Sequence, residues 1–243
     1  MTMSLSCFPY AGAGAGVYRP SRRRAGEVLR VEPIQYAGRE ECFTEPFYAD
    51  LTAAAEDCAA QVLKAADGGP FAFFGHSFGA VVAYETAQLL AAAGGPLPEH
   101  LVVSGAAGPG VPRIATGILQ ADDEELVRQV AELMGSVPES FGHRGLRELL
   151  LPVFRADVAL HEAYTPSLRG PLPVPVTILL GSEDRLVNTA QARQWGEVTA
   201  VGHRFVEIPG GHMYLTEDWE LLWETVEAAL ETPLEAPLRS AAR

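Results

Sequence analysis

A candidate nucleophile lies in the sequence Gly75-His76-Ser77-Phe78-Gly79. Four apolar residues, 71–74, precede this G-x-S-x-G pattern and predict a short buried strand. The alanine-rich residues 80–90 follow it and predict a helix. A nucleophile elbow needs this order, because its serine must project above a sheet from a strained turn between strand and helix. We therefore predict that Ser77 is a nucleophile rather than an ordinary turn serine.

A serine hydroxyl needs a base within hydrogen-bond reach, and position along the chain sorts the six histidines. His212 lies in Pro209-Gly210-Gly211-His212, after the last predicted strand and before the C-terminal helix. The chain order serine, acid, histidine places the base there. Of the other five, His76 lies in the elbow, His100 and His203 lie beside predicted strands, and His143 and His161 lie in a helical insertion. His212 is the predicted base, and the alternative is a surface loop histidine.

The acid that orients the base should follow a strand between the serine and the histidine. The apolar residues 176–180 predict such a strand, and Gly181-Ser182-Glu183-Asp184 follows it. Both carboxylates qualify; we favour Asp184 and expect Glu183 to be its solvated neighbour. A carboxylate buried against His212 would fix the tautomer of the imidazole and stabilise the imidazolium.

The oxyanion donors expected in this arrangement are backbone N–H groups. One belongs to Phe78, directly after the nucleophile, and the other to the loop after an early strand, where Ala11 fits. That loop is rich in glycine, which also suggests a nucleotide site. Its glycines at 12, 14 and 16 give no G-x-G-x-x-G register, and no Gly-Lys-Ser/Thr follows, so we disfavour a dinucleotide site or a P-loop.

Short apolar segments recur along the chain and predict strands at residues 5–8, 29–35, 71–74, 101–104, 176–180 and 204–208. Between two of them, Phe47, Leu51, Ala55, Cys58 and Val62 recur at helical spacing and predict a helix that packs on the sheet. Buried strands that alternate with helices predict an α/β fold: a mostly parallel central sheet with helices on both faces.

Residues 112–166 differ, because they contain helical patterns and no evident strand. One apolar stripe comprises Leu126, Val130 and Leu133, and a second, before Pro152, comprises Leu146, Leu149 and Leu150. We predict a helical lid inserted into a single domain that spans residues 1–243, above the sheet edge where ligands bind. The Ala- and Pro-rich tail, 232–243, is expected to be flexible.

Composition limits the classes of partner and site. The net charge of −13 disfavours nucleic acid and anionic lipid as partners. No apolar segment is long enough to span a bilayer, and the start lacks a signal-peptide layout, so we expect a cytoplasmic protein. Cys7, Cys42 and Cys58 have neither disulfide-like number nor zinc-like spacing, so we expect buried small hydrophobes and no metal.

Six motifs in order resemble the type II thioesterases of polyketide and nonribosomal peptide synthesis, over residues 5–230. They are Phe8-Pro9-Tyr10-Ala11-Gly12, Gly38-Arg39-Glu40, Gly75-His76-Ser77-Phe78-Gly79-Ala80, Arg155-Ala156-Asp157, Gly181-Ser182-Glu183-Asp184 and Pro209-Gly210-Gly211-His212. The resemblance implies an α/β-hydrolase fold with a helical lid. It implies hydrolysis of acyl groups from the phosphopantetheine arm of an acyl or peptidyl carrier protein, in editing or product release, without a cofactor. By motif, Ser77, Asp184 and His212 form the triad, and Ala11 and Phe78 are oxyanion donors.

The sequence departs from that family near the predicted site. Phe78 replaces the usual methionine, Ala13 a glycine and Ala37 a proline, and residues 21–24 lack a usual tryptophan. None of these departures removes a catalytic group, but the first bears on the choice of acyl chain. The basic run Arg22-Arg23-Arg24 is a candidate contact for an acidic carrier protein, or simply a solvated helix end.

Three other functions stay open at this point. A carboxylesterase for free small esters would share the triad but lack carrier recognition. A chain-releasing cyclase or acyltransferase of the same fold would differ in its product. A non-catalytic binding protein should have lost a triad member, and all three are present.

Overall fold

A six-stranded parallel sheet forms the centre of the protein. The structure is a computed structural model, and it describes residues 2–23, 29–134, 143–167, 170–232 and 234. The strands are β1 (Met3–Phe8), β2 (Leu29–Pro33), β3 (Phe71–His76), β4 (Leu101–Ser104), β5 (Val176–Gly181) and β6 (His203–Ile208). Their spatial order is β2-β1-β3-β4-β5-β6, and every adjacent pair is parallel. The predicted α/β class, with a mostly parallel sheet, is confirmed.

Helices connect these strands. They are α1 (Leu51–Ala66), α2 (Phe78–Ala92), α3 (Asp123–Met134), α4 (Arg144–Glu162), α5 (Thr189–Arg193), α6 (Tyr214–Glu217) and α7 (Trp219–Glu231). Short 3₁₀ segments occur at Ala15–Arg23, Glu40–Cys42 and Gln194–Val198. The side chain of Asp50 accepts the Ala53 N–H and caps α1. Phe47 therefore lies outside the helix and is 40% exposed, so its predicted place in the buried stripe is wrong.

The two faces of the sheet are covered by different layers. On β3, Phe73 packs in the cluster formed with α1 and α2, whereas Phe74 belongs to the cluster on the opposite face. There Phe74 meets Trp223 of α7, with ring centroids 5.8 Å apart. A strand that is buried on both faces must be apolar at successive positions, which explains the unbroken run before Ser77.

Helices α3 and α4 lie between β4 and β5 and form a small core of their own. Its buried members are Ile118, Leu126, Val127, Val130, Leu151 and Val158. The second apolar stripe lies on α4 before Pro152, and α4 continues through this proline. Leu146 and Leu149 of that stripe are exposed, and the side chain of Leu133 lies outside the described part.

The cysteines show no disulfide among the described residues. Cys7 and Cys58 are buried, as predicted, and Cys42 is half-buried. Burial raises the pKa of the Cys7 and Cys58 thiols well above the usual value, which keeps them uncharged. Within residues 2–23, 29–134, 143–167 and 170–232, no helix has the length and apolarity needed to cross a membrane.

Candidate active site

Ser77 occupies a sharp turn between β3 and α2. Its backbone angles are φ 53° and ψ −118°, a conformation that costs a non-glycine residue roughly 1–3 kcal/mol. The Ser77 N–H donates to the Ser104 carbonyl at 2.8 Å, which anchors the turn to β4. A Cβ at Gly75 would collide with the Gly79 carbonyl, and one at Gly79 with the Phe8 carbonyl. Both glycines are therefore required for the turn that presents Ser77.

The structure brings the predicted serine, histidine and acid into one hydrogen-bonded chain. His212 Nε2 lies 3.2 Å from Ser77 Oγ, and His212 Nδ1 lies 2.8 Å from Asp184 Oδ2. The side chains of His212 and Asp184 are 8% and 1% exposed. With its proton on Nδ1, His212 donates to the carboxylate and its free Nε2 accepts from the hydroxyl. This arrangement can deprotonate Ser77 and stabilise the imidazolium that forms.

The loop after β5 separates the two candidate acids. Asp184 Oδ1 accepts the N–H groups of Leu186 and Val187, at 2.8 and 3.0 Å, which leaves Oδ2 for His212. Glu183 is exposed to solvent. The geometry therefore supports Asp184, and not its neighbour, as the orienting group.

A second histidine packs behind the first. The rings of His76 and His212 are 5.0 Å apart between centroids. His76 Nδ1 lies 2.8 Å from Ser104 Oγ, which lies 2.6 Å from the Tyr214 hydroxyl. Burial, followed by the nearby charge of His212, lowers the pKa of His76 well below its usual value. His76 is therefore a neutral packing partner of His212.

A cavity of about 620 Å³ opens beside Ser77 and His212. Much of its wall is apolar and comes from the insertion and the neighbouring loops, including Val111, Ile118, Val130, Phe154, Val158 and Met213. Phe78 also lines it and packs edge-on against Tyr36 and His161, with centroids 6.2 and 6.3 Å apart. The cavity can hold a small organic group against the serine.

The same wall carries two nitrogen-rich side chains. Burial lowers the pKa of His161 to about 4, so its imidazole is neutral at pH 7. The Arg113 guanidinium lies 5.3 Å over the Tyr164 ring and donates to the Ala107 carbonyl at 3.3 Å. The cavity thus offers hydrogen-bond donors beside its apolar surface.

Ala11 and Phe78, the predicted oxyanion donors, line the cavity together with Ser77. Phe78 is the first residue of α2, so its N–H belongs to the helix turn that has no intrahelical acceptor. Ala11 lies in the turn after β1, where the Ala13 N–H donates to the Tyr10 carbonyl at 3.0 Å. An oxyanion formed at Ser77 would lie beside both segments.

Arg39 and Asp157 have no catalytic role in the arrangement predicted from the sequence. Their side chains form a two-pronged ion pair with N–O distances of 2.6 and 2.7 Å, and they lie beside the loop that carries Ala11. Both belong to motifs quoted for the family resemblance, Gly38-Arg39-Glu40 and Arg155-Ala156-Asp157. Those motifs were the only sign in the sequence that the two residues matter. No spacing rule predicts a contact between residues 118 positions apart. Among the described residues, no cluster of His, Cys, Asp and Glu could hold a metal ion.

Comparison with known proteins identifies the family. The family model described as "Thioesterase domain" matches residues 3–230. The chain belongs to the thioesterase family. This thioesterase is a serine hydrolase by its family and its structural neighbours, and the resemblance to type II thioesterases is confirmed.

Named relatives match most of this thioesterase. It is 34% identical over 213 residues to the "Probable cadicidin biosynthesis thioesterase" of Streptomyces griseus, covering 88% of this chain and 58% of that protein. It is 30% identical over 215 residues to "Thioesterase PikA5" of Streptomyces venezuelae, covering 88% and 76%. It is also 32% identical over 227 residues to "Linear gramicidin dehydrogenase LgrE" of Brevibacillus parabrevis, covering 92% and 86%.

Solved structures give the same result for this thioesterase. The type II thioesterase BorB from the borrelidin biosynthetic cluster superposes with a TM-score of 0.85 at 31% identity, covering 95% of this chain and 94% of that one. RedJ, a thioesterase of the prodiginine pathway in Streptomyces coelicolor, gives 0.85 at 29%, covering 95% and 90%. The fold is therefore that of the α/β-hydrolase thioesterases.

Proposed function

We propose that this thioesterase hydrolyses acyl thioesters on the phosphopantetheine arm of carrier proteins, with Ser77 as nucleophile, His212 as base and Asp184 as orienting acid. The observation that carries the proposal is the chain of hydrogen bonds from Asp184 through His212 to Ser77, which ends on a strained turn beside the cavity. Turn, base and acid each match what acyl transfer through a serine requires.

In the first half-reaction, Ser77 Oγ attacks the thioester carbonyl carbon and its proton passes to His212 Nε2. The carbonyl oxygen becomes an oxyanion, which the N–H groups of Ala11 and Phe78 stabilise. The C–S bond then breaks, and the sulfur takes its proton from His212. Because a thiol has a pKa of about 8.5, it leaves readily, so this step asks little of acid catalysis.

In the second half-reaction, water gives a proton to His212 Nε2 and attacks the acyl-serine ester. The same two N–H groups face the new oxyanion. The bond from the carbonyl carbon to Ser77 Oγ breaks, His212 returns the proton to that oxygen, and a carboxylic acid leaves. The enzyme returns to its starting state without any oxidant, reductant or cofactor.

The names of relatives support a carrier-bound substrate, because they refer to biosynthesis of cadicidin and borrelidin. We infer that α3 and α4 act as a lid, since both contribute to the cavity wall, through Val130 and Val158 respectively. The mixed wall, apolar but with Arg113 and His161, suits an acyl chain that carries oxygen substituents. We further infer that the proposed activity is cytoplasmic.

One relative is named a dehydrogenase, and we do not extend that activity to this chain. A dinucleotide needs free backbone N–H groups in a glycine-rich loop. Here the Glu40 carboxylate accepts the Gly16 N–H, at 3.1 and 3.0 Å from its two oxygens. A negative charge therefore occupies the place at which a phosphate would bind.

The carrier contact proposed from sequence falls on Arg22-Arg23-Arg24, whose side chains lie outside the described residues. Nearby Arg19 pairs with Glu41 at 2.7 Å. The contact stays a prediction. Charge reversal at the three arginines should raise KM for an acyl carrier protein and leave KM for a small free ester unchanged.

The test compares a panel of acyl-loaded carrier proteins with p-nitrophenyl esters of the same acids, with intact-mass spectra of quenched reactions. We expect faster turnover of the carriers and an acyl adduct on Ser77. Ser182→Ala is the matched control for Ser77→Ala. Ser182 is exposed, next to Glu183, so its removal should leave activity unchanged. Turnover of free esters alone would indicate a carboxylesterase, and a lactone or transferred acyl product would indicate a cyclase or acyltransferase. Absence of a Ser77 adduct, together with no labelling by a fluorophosphonate, would overturn the proposal.

A further inference from the structure

A buried ion pair connects the helical insertion to the body of the protein. Arg39 lies in the segment after β2, and Asp157 lies on α4. Their two hydrogen bonds join Nη1 to Oδ2 at 2.6 Å and Nη2 to Oδ1 at 2.7 Å. The two side chains are 5% and 2% exposed. Burial raises the pKa of Asp157, and the Arg39 and Gly12 donors oppose that rise.

Both members of the pair also form hydrogen bonds with the loop that follows β1. Asp157 Oδ2 accepts the Gly12 N–H at 2.8 Å, and Arg39 Nη1 donates to the Ala13 carbonyl at 3.0 Å. The loop is thus fixed at the two residues directly after Ala11. Gly12 has φ 79°, and a Cβ there would press against the Phe154 ring of α4. A residue with a side chain would therefore be strained directly after Ala11.

A buried ion pair is a poor source of stability, because removing two charges from water costs about as much as their attraction returns. Its presence at this position calls for another reason, and the Ala11 loop supplies one. A backbone N–H stabilises an oxyanion only when it points at the position where the negative charge develops. The Ala11 N–H lies in the Tyr10–Ala11 peptide plane, which is joined at the Ala11 Cα to the plane that carries the Gly12 N–H, so fixing the second plane restricts the first.

We propose that Arg39 and Asp157 are positioning residues, which hold the loop after β1 so that the Ala11 N–H faces the oxyanion formed at Ser77. This rests on the proposed function. Because Asp157 lies on α4, the oxyanion donor is set correctly only when the helical insertion is seated against the loop. Displacement of α4 would withdraw the acceptor of the Gly12 N–H and release Ala11.

Two double variants isolate the contact with Gly12 from the stability of the pair. Arg39→Met/Asp157→Leu replaces both charges with apolar groups of similar size, so folding should be retained. Arg39→Met/Asp157→Asn is nearly the same but keeps an oxygen that can accept the Gly12 N–H. The single variants leave one buried charge without its partner and serve only as folding comparisons.

We expect the leucine double variant to lose about 100-fold in kcat with KM nearly unchanged, the loss typical of one oxyanion donor. Its affinity for a trifluoromethyl ketone, which forms a tetrahedral adduct on serine, should fall by a similar factor. The asparagine double variant should recover at least about ten-fold of both losses. The control Arg144→Met/Glu148→Leu removes an exposed 3.3 Å ion pair on α4 itself, and its kcat should stay within about two-fold.

Equal kcat in the leucine double variant and the wild type would overturn the inference, as would equal losses in the two double variants. The measurements are made on whichever ester the wild type hydrolyses, because the oxyanion donors serve every acyl group. A wild type that fails on acyl carriers but hydrolyses p-nitrophenyl esters would therefore remove the carrier proposal and leave this one testable. Thermal unfolding of each variant separates a lost fold from a lost donor.

Discussion

Asp184 holds His212 with one carboxylate oxygen and is itself held by the other. Oδ2 lies 2.8 Å from His212 Nδ1, while Oδ1 accepts two backbone N–H groups from the loop that follows. The side chain is 1% exposed. A carboxylate with both oxygens fixed in this way has one orientation, and it gives the imidazole one tautomer.

The first prediction follows from that relationship. Asp184→Asn should keep the fold but lower kcat by roughly 10³–10⁴-fold, because the amide can stabilise neither the required tautomer nor the imidazolium. Steady-state hydrolysis of one acyl carrier protein measures the effect. Glu183→Gln is the matched control, because Glu183 is exposed, and it should behave as the wild type. The reverse result, an inactive Glu183→Gln and an active Asp184→Asn, would exchange the two roles.

The second prediction concerns the 3.2 Å contact between His212 Nε2 and Ser77 Oγ. Ser77→Ala and His212→Ala should each lower kcat by about 10⁴–10⁶-fold, and the double variant should lose little more, because the two groups act as a unit. Single-turnover assays with intact-mass detection measure both the rate and the acyl adduct. Near wild-type turnover by either single variant would contradict the assignment.

The third prediction concerns Phe78, which directly follows the nucleophile and lines the cavity beside it. Phe78→Met keeps the volume similar, so the stability should fall by less than about 1.5 kcal/mol. The flexible side chain should admit longer acyl chains, which we expect to shift the ratio of kcat/KM for long over short chains by about ten-fold. A series of acyl-loaded carriers of increasing length measures that ratio.

The control for Phe78 is Phe71→Met. Phe71 is equally buried, at 3% exposure, but begins β3 at the end of the strand opposite Ser77. It should lower stability by a similar amount and leave the acyl preference unchanged. If both variants shift the preference alike, the effect comes from general loosening of the core and not from the wall of the cavity.

The sequence predicted what depends on local pattern. The elbow was predictable, because an apolar strand, two glycines and a helix within twenty residues leave few other conformations for Ser77. Asp184 and His212 were predictable from chain order, since successive parallel strands deliver their following loops to one edge of the sheet.

Contacts that depend on tertiary packing were not predictable. Phe47 fits the helical period, but the Asp50 cap starts α1 after it. A proline usually ends or kinks a helix, yet α4 continues through Pro152. The contact between Arg39 and Asp157 joins a motif in a loop to a motif on a helix. No repeat in the sequence relates the two motifs, and the contact depends on how α4 packs against the loop after β1.

The fourth prediction concerns stability at acid pH and a histidine remote from Ser77. His100 is 6% exposed, and its Nε2 lies 2.9 Å from Thr177 Oγ1. Burial, followed by the charge of Arg204, lowers the pKa of His100 from 6.5 to about 4. Above pH 6.5 the histidine is neutral in both the folded and the unfolded chain. Between pH 6.5 and 4 only the unfolded chain takes up the proton, so the free energy of unfolding falls as the pH falls.

This single group should remove about 2 kcal/mol of stability between pH 7 and pH 5, given one proton and its lowered pKa. His100→Gln keeps a hydrogen-bonding side chain but cannot bind the proton, so its loss of stability over that range should be smaller by about this amount. Urea unfolding at pH 7, 6 and 5 measures the difference. Identical slopes for His100→Gln and the wild type would show that His100 is protonated equally in both states and that burial does not control it.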